Sequence, residues 1–333
     1  MNLPRILIVS LGGTITMTSS ATGGIAPTLT ADNLIESVPQ LAHVASLEAI
    51  TQFSMPGASL SIQNLAEVAR LLHQKFAEGI DGAVVVQGTD TIEDTAFVLD
   101  LLAWHARPVV VTGAMRGPQA AGADGPANLL AAVTVAADRR VSELGVVVVL
   151  NDEIHAARWV QKSHTSLTSA FESPGTGRIG IVAEGQVEIL IRPTRDLLPI
   201  TAALNHPIRV AQVSLGLGEE GWLLPALSGL GYAGAVIEGM GAGHVPAAAV
   251  DAISKLVDQM PVILCSRVRA GRVFTHTYGF DGSEMDLIKR GAIPCGHLSS
   301  SKARLLLTLL QSTGATEEVI RTAFGQTTPE QNS

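Results

Sequence analysis

Short, uninterrupted runs of valine and other aliphatic residues alternate along this chain with longer stretches of helical periodicity, a rhythm that only a few folds can accommodate. Residues 5–11, 83–87, 108–112 and 145–150 read as strands, and residues 61–78, 91–105 and 126–139 as the helices between them. Such alternation implies parallel strands joined by crossover helices, because a parallel pair needs a long connection back to its starting edge. The run Val146 to Leu150 shows no polar residue at every second position, as expected of a strand covered on both faces. Thr91 stands three residues before Asp94, and Ile92, Ala96, Leu99 and Leu102 follow at helical spacing. Thr91 is therefore expected to cap a helix, with the residues just before it on a strand-to-helix turn.

Near residues 191–207 the rhythm loosens into Arg-Pro-Thr-Arg, Leu-Pro and Asn-His-Pro. Beyond it residues 209–214, 234–237 and 262–266 read as strands, and residues 247–259 and 301–311 as helices. The expected organisation is α/β in two domains: a larger N-terminal domain (1–190) with a mostly parallel sheet flanked by helices, a linker (191–207) and a smaller C-terminal α/β domain (208–333).

With 47% hydrophobic and 16% charged residues, the chain has ample material for a core, yet no apolar run approaches the roughly 18 residues that span a bilayer. A formal net charge of −8 argues against a nucleic-acid partner, which calls for a basic face. The N-terminus leads directly into the first strand without a small-residue cleavage site, so a cytoplasmic location is expected. Cys265 and Cys295 are far apart in sequence, which points to reduced thiols rather than a disulfide framework or a zinc site.

Three segments carry candidate chemistry. Gly12-Gly13-Thr14-Ile15-Thr16 directly follows the first strand, and in an open parallel sheet the ligand crevice lies beyond the carboxyl ends of the strands. The segment is no phosphate loop, since the Lys-Ser/Thr ending is missing. Gln87-Gly88-Thr89-Asp90-Thr91 ends another strand, and Lys162 lies in a polar loop with Ser163, His164 and Thr165. Taken singly, these are a tight turn, a capping cluster and a surface charge. Taken together, they supply what acyl transfer needs. A threonine hydroxyl is a weak nucleophile that requires a neighbouring base. A carboxylate and a lysine beside Thr89 would polarise its hydroxyl or a water, and backbone N–H groups at a glycine-flanked turn would offset charge on an oxyanion.

The order Gly-Gly-Thr-Ile (12–15), Gly-Thr-Asp-Thr-x-Glu-Asp-Thr-Ala (88–96), Gly-Ala-Met-Arg (113–116), Ala-Asp-Gly-Pro-x-Asn-Leu (123–129), Asn-Asp (151–152) and Lys162 closely resembles bacterial-type L-asparaginases and glutaminase-asparaginases. Tyr278-Gly279-Phe280 and Lys302-Ala303-Arg304 fit as well, so the similarity covers almost the whole chain. The resemblance implies hydrolysis of L-asparagine to L-aspartate and ammonia, without metal or organic cofactor, by a homotetramer built as a pair of intimate dimers. It casts Thr14 as the residue that forms the acyl-enzyme, Thr89 and Lys162 as its assistants, and Asp90 as the partner of the substrate's α-ammonium group. Substrate-binding positions carried over in the same way are Gly57, Ala58, Ser59, Gly88, Asp90 and Ala114. Residues 16–28, rich in Ser, Thr and Gly, have the composition of a mobile lid.

The pattern also departs from the family. Members usually place a tyrosine in the lid, whereas the two tyrosines here are Tyr232 and Tyr278, and Gly24 and Ile25 stand near the expected place. The serine expected at the substrate carboxylate aligns with Gly57, leaving Ser59 or a backbone N–H as a substitute. The asparagine and glutamate that a neighbouring subunit often supplies correspond to stretches reading Gly241-Ala242-Gly243-His244 and Arg269-Ala270-Gly271-Arg272. Candidates for a different shell are His244, Arg269, Arg272, His276 and Glu284. Reaction type is thus better supported than substrate, and the alternatives are another small amide (glutamine, D-asparagine or an amide that is no amino acid) or an amino-acid-binding protein on the same scaffold. A nucleotide-binding reading of Glu238-Gly239-Met240-Gly241-Ala242-Gly243 fails on its spacing. Self-cleavage before Thr14 would destroy the first strand.

Overall fold

In the computed structural model, which describes residues 3–19, 25–27, 29–103, 106–194, 199–201, 203–204 and 207–325, the chain divides between Pro199 and Ile200 into two compact units. The first contains β1 (Arg5–Ser10), β2 (Met17–Ser19), β3 (Ile25–Pro27), α1 (Ala31–Glu36), β4 (Ser46–Thr51), α2 (Ile62–Ala77), β5 (Gly82–Val86), α3 (Ile92–Leu102), β6 (Val109–Thr112) and α4 (Gly125–Ala137). It continues with β7 (Val146–Leu150), β8 (Glu153–Ala156), β9 (Gln161–Lys162), β10 (Phe171–Glu172), β11 (Gly180–Ala183) and β12 (Gln186–Ile189). Eight of these strands form one sheet in the order β12-β11-β8-β7-β6-β5-β1-β4. The run from β4 to β7 is parallel, and β8, β11 and β12 join antiparallel.

The valine runs are strands because both faces of the parallel sheet are covered. Every residue of β5, β6 and β7 is buried, as is all of β1 after Arg5. On one face Ile6, Ile8, Val84, Val86, Val110, Val147 and Val149 pack with Ala31 and Leu34 of α1 and with Leu129, Ala132 and Val133 of α4. Each of the valine, leucine and isoleucine side chains contributes about 1.5–3 kcal/mol on burial. A two-residue turn, Asn151 (φ 53°) and Asp152 (φ 59°), joins β7 to β8. Asn and Asp tolerate these left-handed angles, and the resulting hairpin reverses the chain so that β8 runs antiparallel to β7.

Thr91 does not cap α3 as expected from sequence. It ends a 3₁₀ turn, Thr89–Thr91, with φ −127° and ψ 17°, outside the extended conformation that aims a capping side chain at the helix N–H groups. Its hydroxyl instead donates to the carbonyl of Gly57 (2.9 Å) and accepts from Gln87 Nε2 (3.1 Å). The helix also ends at Leu102, and His105, its expected last residue, lies outside the described residues. In the candidate lid, β2 and β3 pair antiparallel with Met17 opposite Pro27. Residues 20–24 and 28, Gly24 among them, lie outside the described residues.

The second unit builds its own parallel sheet from β13 (Val210–Ser214), β14 (Gly234–Gly239), β15 (Val262–Ser266) and β16 (Ile293–Pro294), in that order. Its helices are α5 (Val250–Val257), α6 (Glu284–Lys289), α7 (Ser300–Ser312) and α8 (Glu317–Ala323). The helix expected over residues 247–259 opens as a 3₁₀ turn, Ala247–Ala249, and becomes α-helical only from Val250. Cys265 and Cys295, distant in sequence, are buried free thiols on neighbouring segments of the sheet edge. Burial pushes the Cys265 thiol well up, and its contact with Cys295 adds to the effect. Among the described residues no helix is long and apolar enough to cross a membrane.

Four loops at the carboxyl edge of the first sheet touch backbone to backbone. Gly13 (φ +91°), after β1, lies so close to the loop after β5 that a Cβ on it would stand 2.0 Å from the nitrogen of Gly88. A Cβ on Gly88 would meet the nitrogen of Gly57 at 2.9 Å, and one on Gly57 would meet the carbonyl oxygen of Gly88 at 2.8 Å. Gly113, after β6, approaches the carbonyl of Gln87 in the same way, at 2.5 Å.

Away from this edge, His155 is buried on β8 with Nδ1 2.9 Å from Ser173 Oγ and Nε2 3.3 Å from Glu153 Oε2. Burial pushes its pKa below the ordinary imidazole range, against the pull of the Glu153 carboxylate.

Gly13→Ala is expected to destabilise the protein by about 3 kcal/mol or more, since it adds a backbone clash to an unfavourable φ. Gly177→Ala, where φ is +79° and nothing lies within 4 Å, should cost only about 1 kcal/mol. Denaturant titration of the two variants measures the difference, and equal losses would mean that the Gly13–Gly88 contact is unimportant. The unfolded chain protonates His155 near pH 6.5 and the folded chain at a lower pH, so the unfolded state binds more protons between the two values. Thermal stability should therefore fall as pH drops below about 6.5, with a shallower fall in His155→Gln, measured by melting curves across pH 5–8.

Candidate active site

Thr14 opens a 3₁₀ turn directly after the glycine pair, and the turn is closed by Thr16, whose backbone N–H and hydroxyl both donate to the carbonyl of Gly13 (2.9 and 2.8 Å). Thr16 is fully buried and locks the turn, while Thr14 stays half-buried at its start. Thr89 follows Gly88, so each of the two hydroxyl residues comes directly after one of the touching glycines.

Lys162 reaches this edge from the separate β9–β10 hairpin, in which it pairs with Phe171. Its Nζ donates to Thr89 Oγ1 at 2.9 Å and to Asp90 Oδ1 at 2.8 Å. Thr89 is buried and the lysine side chain is 18% exposed, whereas that of Asp90 is 67% exposed. In stability terms an ion pair so open to water is worth little. Its consequence is geometric: the ammonium is held against a buried hydroxyl, and one carboxylate oxygen faces outward.

The Gly-Ala-Met-Arg loop is braced from α4. The Asp124 carboxylate accepts from the backbone N–H groups of Met115 and Arg116, both at 2.9 Å. Asn128 donates to the carbonyl of Gly113 and to Asp124, and its side-chain oxygen accepts from the N–H of Asn151. One amide side chain thus links the ends of β6 and β7, and a Cβ on Gly125 would stand 2.9 Å from Ile15, the residue after Thr14.

Of the positions carried over from sequence, Thr14, Thr89, Asp90 and Lys162 belong to this edge, the last three in direct contact. Gly57 and Gly88 are buried in the crossing itself. Ala114 is fully buried, backbone and side chain alike. Ala58 and Ser59 are exposed on a 3₁₀ turn, Gly57–Ser59. The candidates His244 and Glu284 lie in the second unit, where His244 Nε2 is 3.1 Å from Glu284 Oε2 and the ring sits edge-on to Tyr278 and Phe280. Burial works to raise the pKa of Glu284, but backbone N–H groups of Tyr278 and Thr277 outweigh it and hold the carboxyl low.

Sequence reasoning gave no role to Glu93, whose Oε2 accepts from the backbone N–H of Lys162 at 2.7 Å, or to the Asp124–Asn128 brace. Both lie inside the quoted motifs, and the spacing of four from Thr89 to Glu93, one helical turn, was the available signal for the first. Among the described residues no group of three or more His, Cys, Asp or Glu side chains converges to hold a metal ion.

Residues 5–195 match the family model of the asparaginase N-terminal domain, and residues 209–324 that of the glutaminase/asparaginase C-terminal domain. The chain is 35% identical over 340 residues to a probable L-asparaginase of Deinococcus radiodurans, covering 98% of each chain. It is 32% identical over 310 residues to the L-asparaginase of Bacillus licheniformis, covering 92% of this chain and 95% of the relative. The crystal structure of a probable cytoplasmic L-asparaginase from Campylobacter jejuni superposes with a TM-score of 0.86 at 31% identity, covering 96% of this chain and 99% of that one. With both family domains matched in order and such relatives aligned from end to end, the chain belongs to the asparaginase family.

Proposed function

We propose that the chain hydrolyses L-asparagine to L-aspartate and ammonia through an acyl-enzyme on Thr14. The observation that carries this reading is the Lys162 ammonium, which donates to both Thr89 Oγ1 and Asp90 Oδ1 beside the crossing that leads into Thr14. Family membership supports the amide chemistry, and the relatives named as L-asparaginases support the substrate.

In the first half-reaction Thr14 Oγ attacks the side-chain amide carbon, and the carbonyl oxygen takes up negative charge that backbone N–H groups of the glycine-flanked turns offset. The C–N bond then breaks, and ammonia leaves with the proton given up by Thr14. In the second half-reaction water attacks the ester, aspartate departs and the Thr14 hydroxyl is restored. Thr89 passes protons along this path, with its oxygen held against the Lys162 ammonium, while Asp90 fixes that ammonium and turns its second oxygen to the α-ammonium group of the substrate. A side chain at position 57 would strike Gly88, so the substrate carboxylate is read by Ser59 and backbone N–H groups of the same turn. This chemistry calls on no cofactor.

We further propose a cytoplasmic homotetramer arranged as a pair of intimate dimers. The cytoplasmic reading is supported by the Campylobacter jejuni protein, although a relative in Haemophilus influenzae is named as periplasmic. Light scattering of the purified protein should give four times the 34.6 kDa chain mass, and a monomer would refute the assembly.

Ammonia release from L-asparagine, D-asparagine, L-glutamine and simple amides tests the main reading. L-Asparagine should be turned over fastest, and Thr14→Ala should lose about 10³-fold or more in kcat with an unchanged melting temperature. Lys162→Met should lose about 10²–10⁴-fold. Turnover restricted to other amides would keep the mechanism and replace the substrate, whereas silence on the whole panel would favour an amino-acid-binding protein.

A further inference from the structure

One short segment holds Lys162 at both ends. Thr89 and Asp90 accept from its Nζ (2.9 and 2.8 Å), and Glu93, one helical turn later, accepts from its backbone N–H (2.7 Å). The strand that carries Lys162 is two residues long, pairs among the described residues with β10 alone and stands outside the large sheet. A hairpin this small has little stability of its own, so its position depends on what it docks against. Within the hairpin the next residue, Ser163, donates its N–H to Ala170 in β10's approach, and the N–H of Lys162 points the other way, toward α3. A half-buried N–H at a strand edge needs an acceptor, and a carboxylate at 2.7 Å is a short, charge-assisted one.

We propose that Glu93 is a positioning residue: its carboxylate docks the β9–β10 hairpin onto the start of α3 and thereby sets the reach of the Lys162 ammonium to Thr89. It acts on the reaction through the Lys162 backbone and needs no contact with substrate. This inference rests on the reading of Lys162 as part of the relay. The side chain of a lysine is long and flexible, and two of its acceptors lie on the same turn. Without a fixed backbone, Nζ could keep Asp90 as partner and drift from Thr89, and a displacement near 1 Å at a reacting group is enough to lower a rate by about 100-fold.

The test is kcat and KM for ammonia release from L-asparagine in Glu93→Ala, Glu93→Gln and Glu93→Asp, each alone and combined with Lys162→Met. Glu93→Ala should lower kcat about 10–100-fold and leave KM within about threefold. Glu93→Gln keeps an oxygen at the original reach without the charge, and Glu93→Asp keeps the charge but withdraws it, so positioning requires the Gln variant to be the faster of the two. In the Lys162→Met background all three substitutions should cause no further loss. The proposal is overturned if Glu93→Ala turns over at the native rate, if Asp restores more than Gln, or if the losses persist undiminished without the lysine. If Glu93→Ala proves unstable by melting curve, the Gln-against-Asp order decides. A native rate for Lys162→Met itself would sink the relay reading, and this proposal with it. That outcome is distinct from failure of the Glu93 variants beside a crippled Lys162→Met.

Discussion

The contact between Gly13 and Gly88 is the constraint on which the site depends. β1 and β5 are neighbours in a parallel sheet, with Ser10 opposite Val86, so their loops leave the same edge side by side. Only residues without side chains let the loops meet, and Gly57 extends the contact to the loop after β4. Thr14 and Thr89 are the residues that follow the two touching glycines. Their separation is therefore set by main chain anchored in the sheet rather than by side-chain packing. Groups placed by rigid elements in this way need little reorganisation as charge develops, which is the condition for electrostatic catalysis.

The charges around this crossing differ in their exposure. Thr89 is buried, Asp90 is largely open to water, and Lys162 lies between them. An isolated lysine in water would sample many conformations. Here three acceptors from residues 89–93 restrict both its backbone and its ammonium. On the opposite flank the Asp124 carboxylate and the Asn128 amide hold the Gly-Ala-Met-Arg loop through four hydrogen-bonded main-chain groups, those of Gly113, Met115, Arg116 and Asn151. The edge is thus built from short polar side chains that order backbone, with few flexible groups among them.

The departures from the family pattern have different physical standing. At position 57 the packing explains the glycine: a Cβ would strike the carbonyl of Gly88 and stand 3.1 Å from Thr91 Oγ1, so a serine there would require the loops to part. His244, by contrast, belongs to a local network of the second unit, with a buried Glu284 carboxylate beneath it and aromatic rings around it. Nothing in the structure explains the absence of a tyrosine from residues 16–28.

The amino-acid sequence by itself determined the layered α/β architecture, because uninterrupted valine runs are stable only as strands covered on both faces and helical periodicity marks the covers. It also singled out the residues proposed to carry the chemistry, since Thr14, Thr89, Asp90 and Lys162 stand at strand ends or in polar loops where function concentrates. Tertiary structure alone decided how those residues meet. The hydroxyl of Thr91, legible as a helix cap, is turned to Gly57 because a 3₁₀ turn denies it the extended backbone of a cap. Glu93 and Asn128 look like ordinary helix residues until the chain brings Lys162 and Asn151 against them from 69 and 23 positions away. Periodicity records which face of an element is buried, but not which distant backbone group lies opposite. That choice belongs to the crossing of loops, where the absence of side chains at Gly13, Gly57 and Gly88 governs the approach.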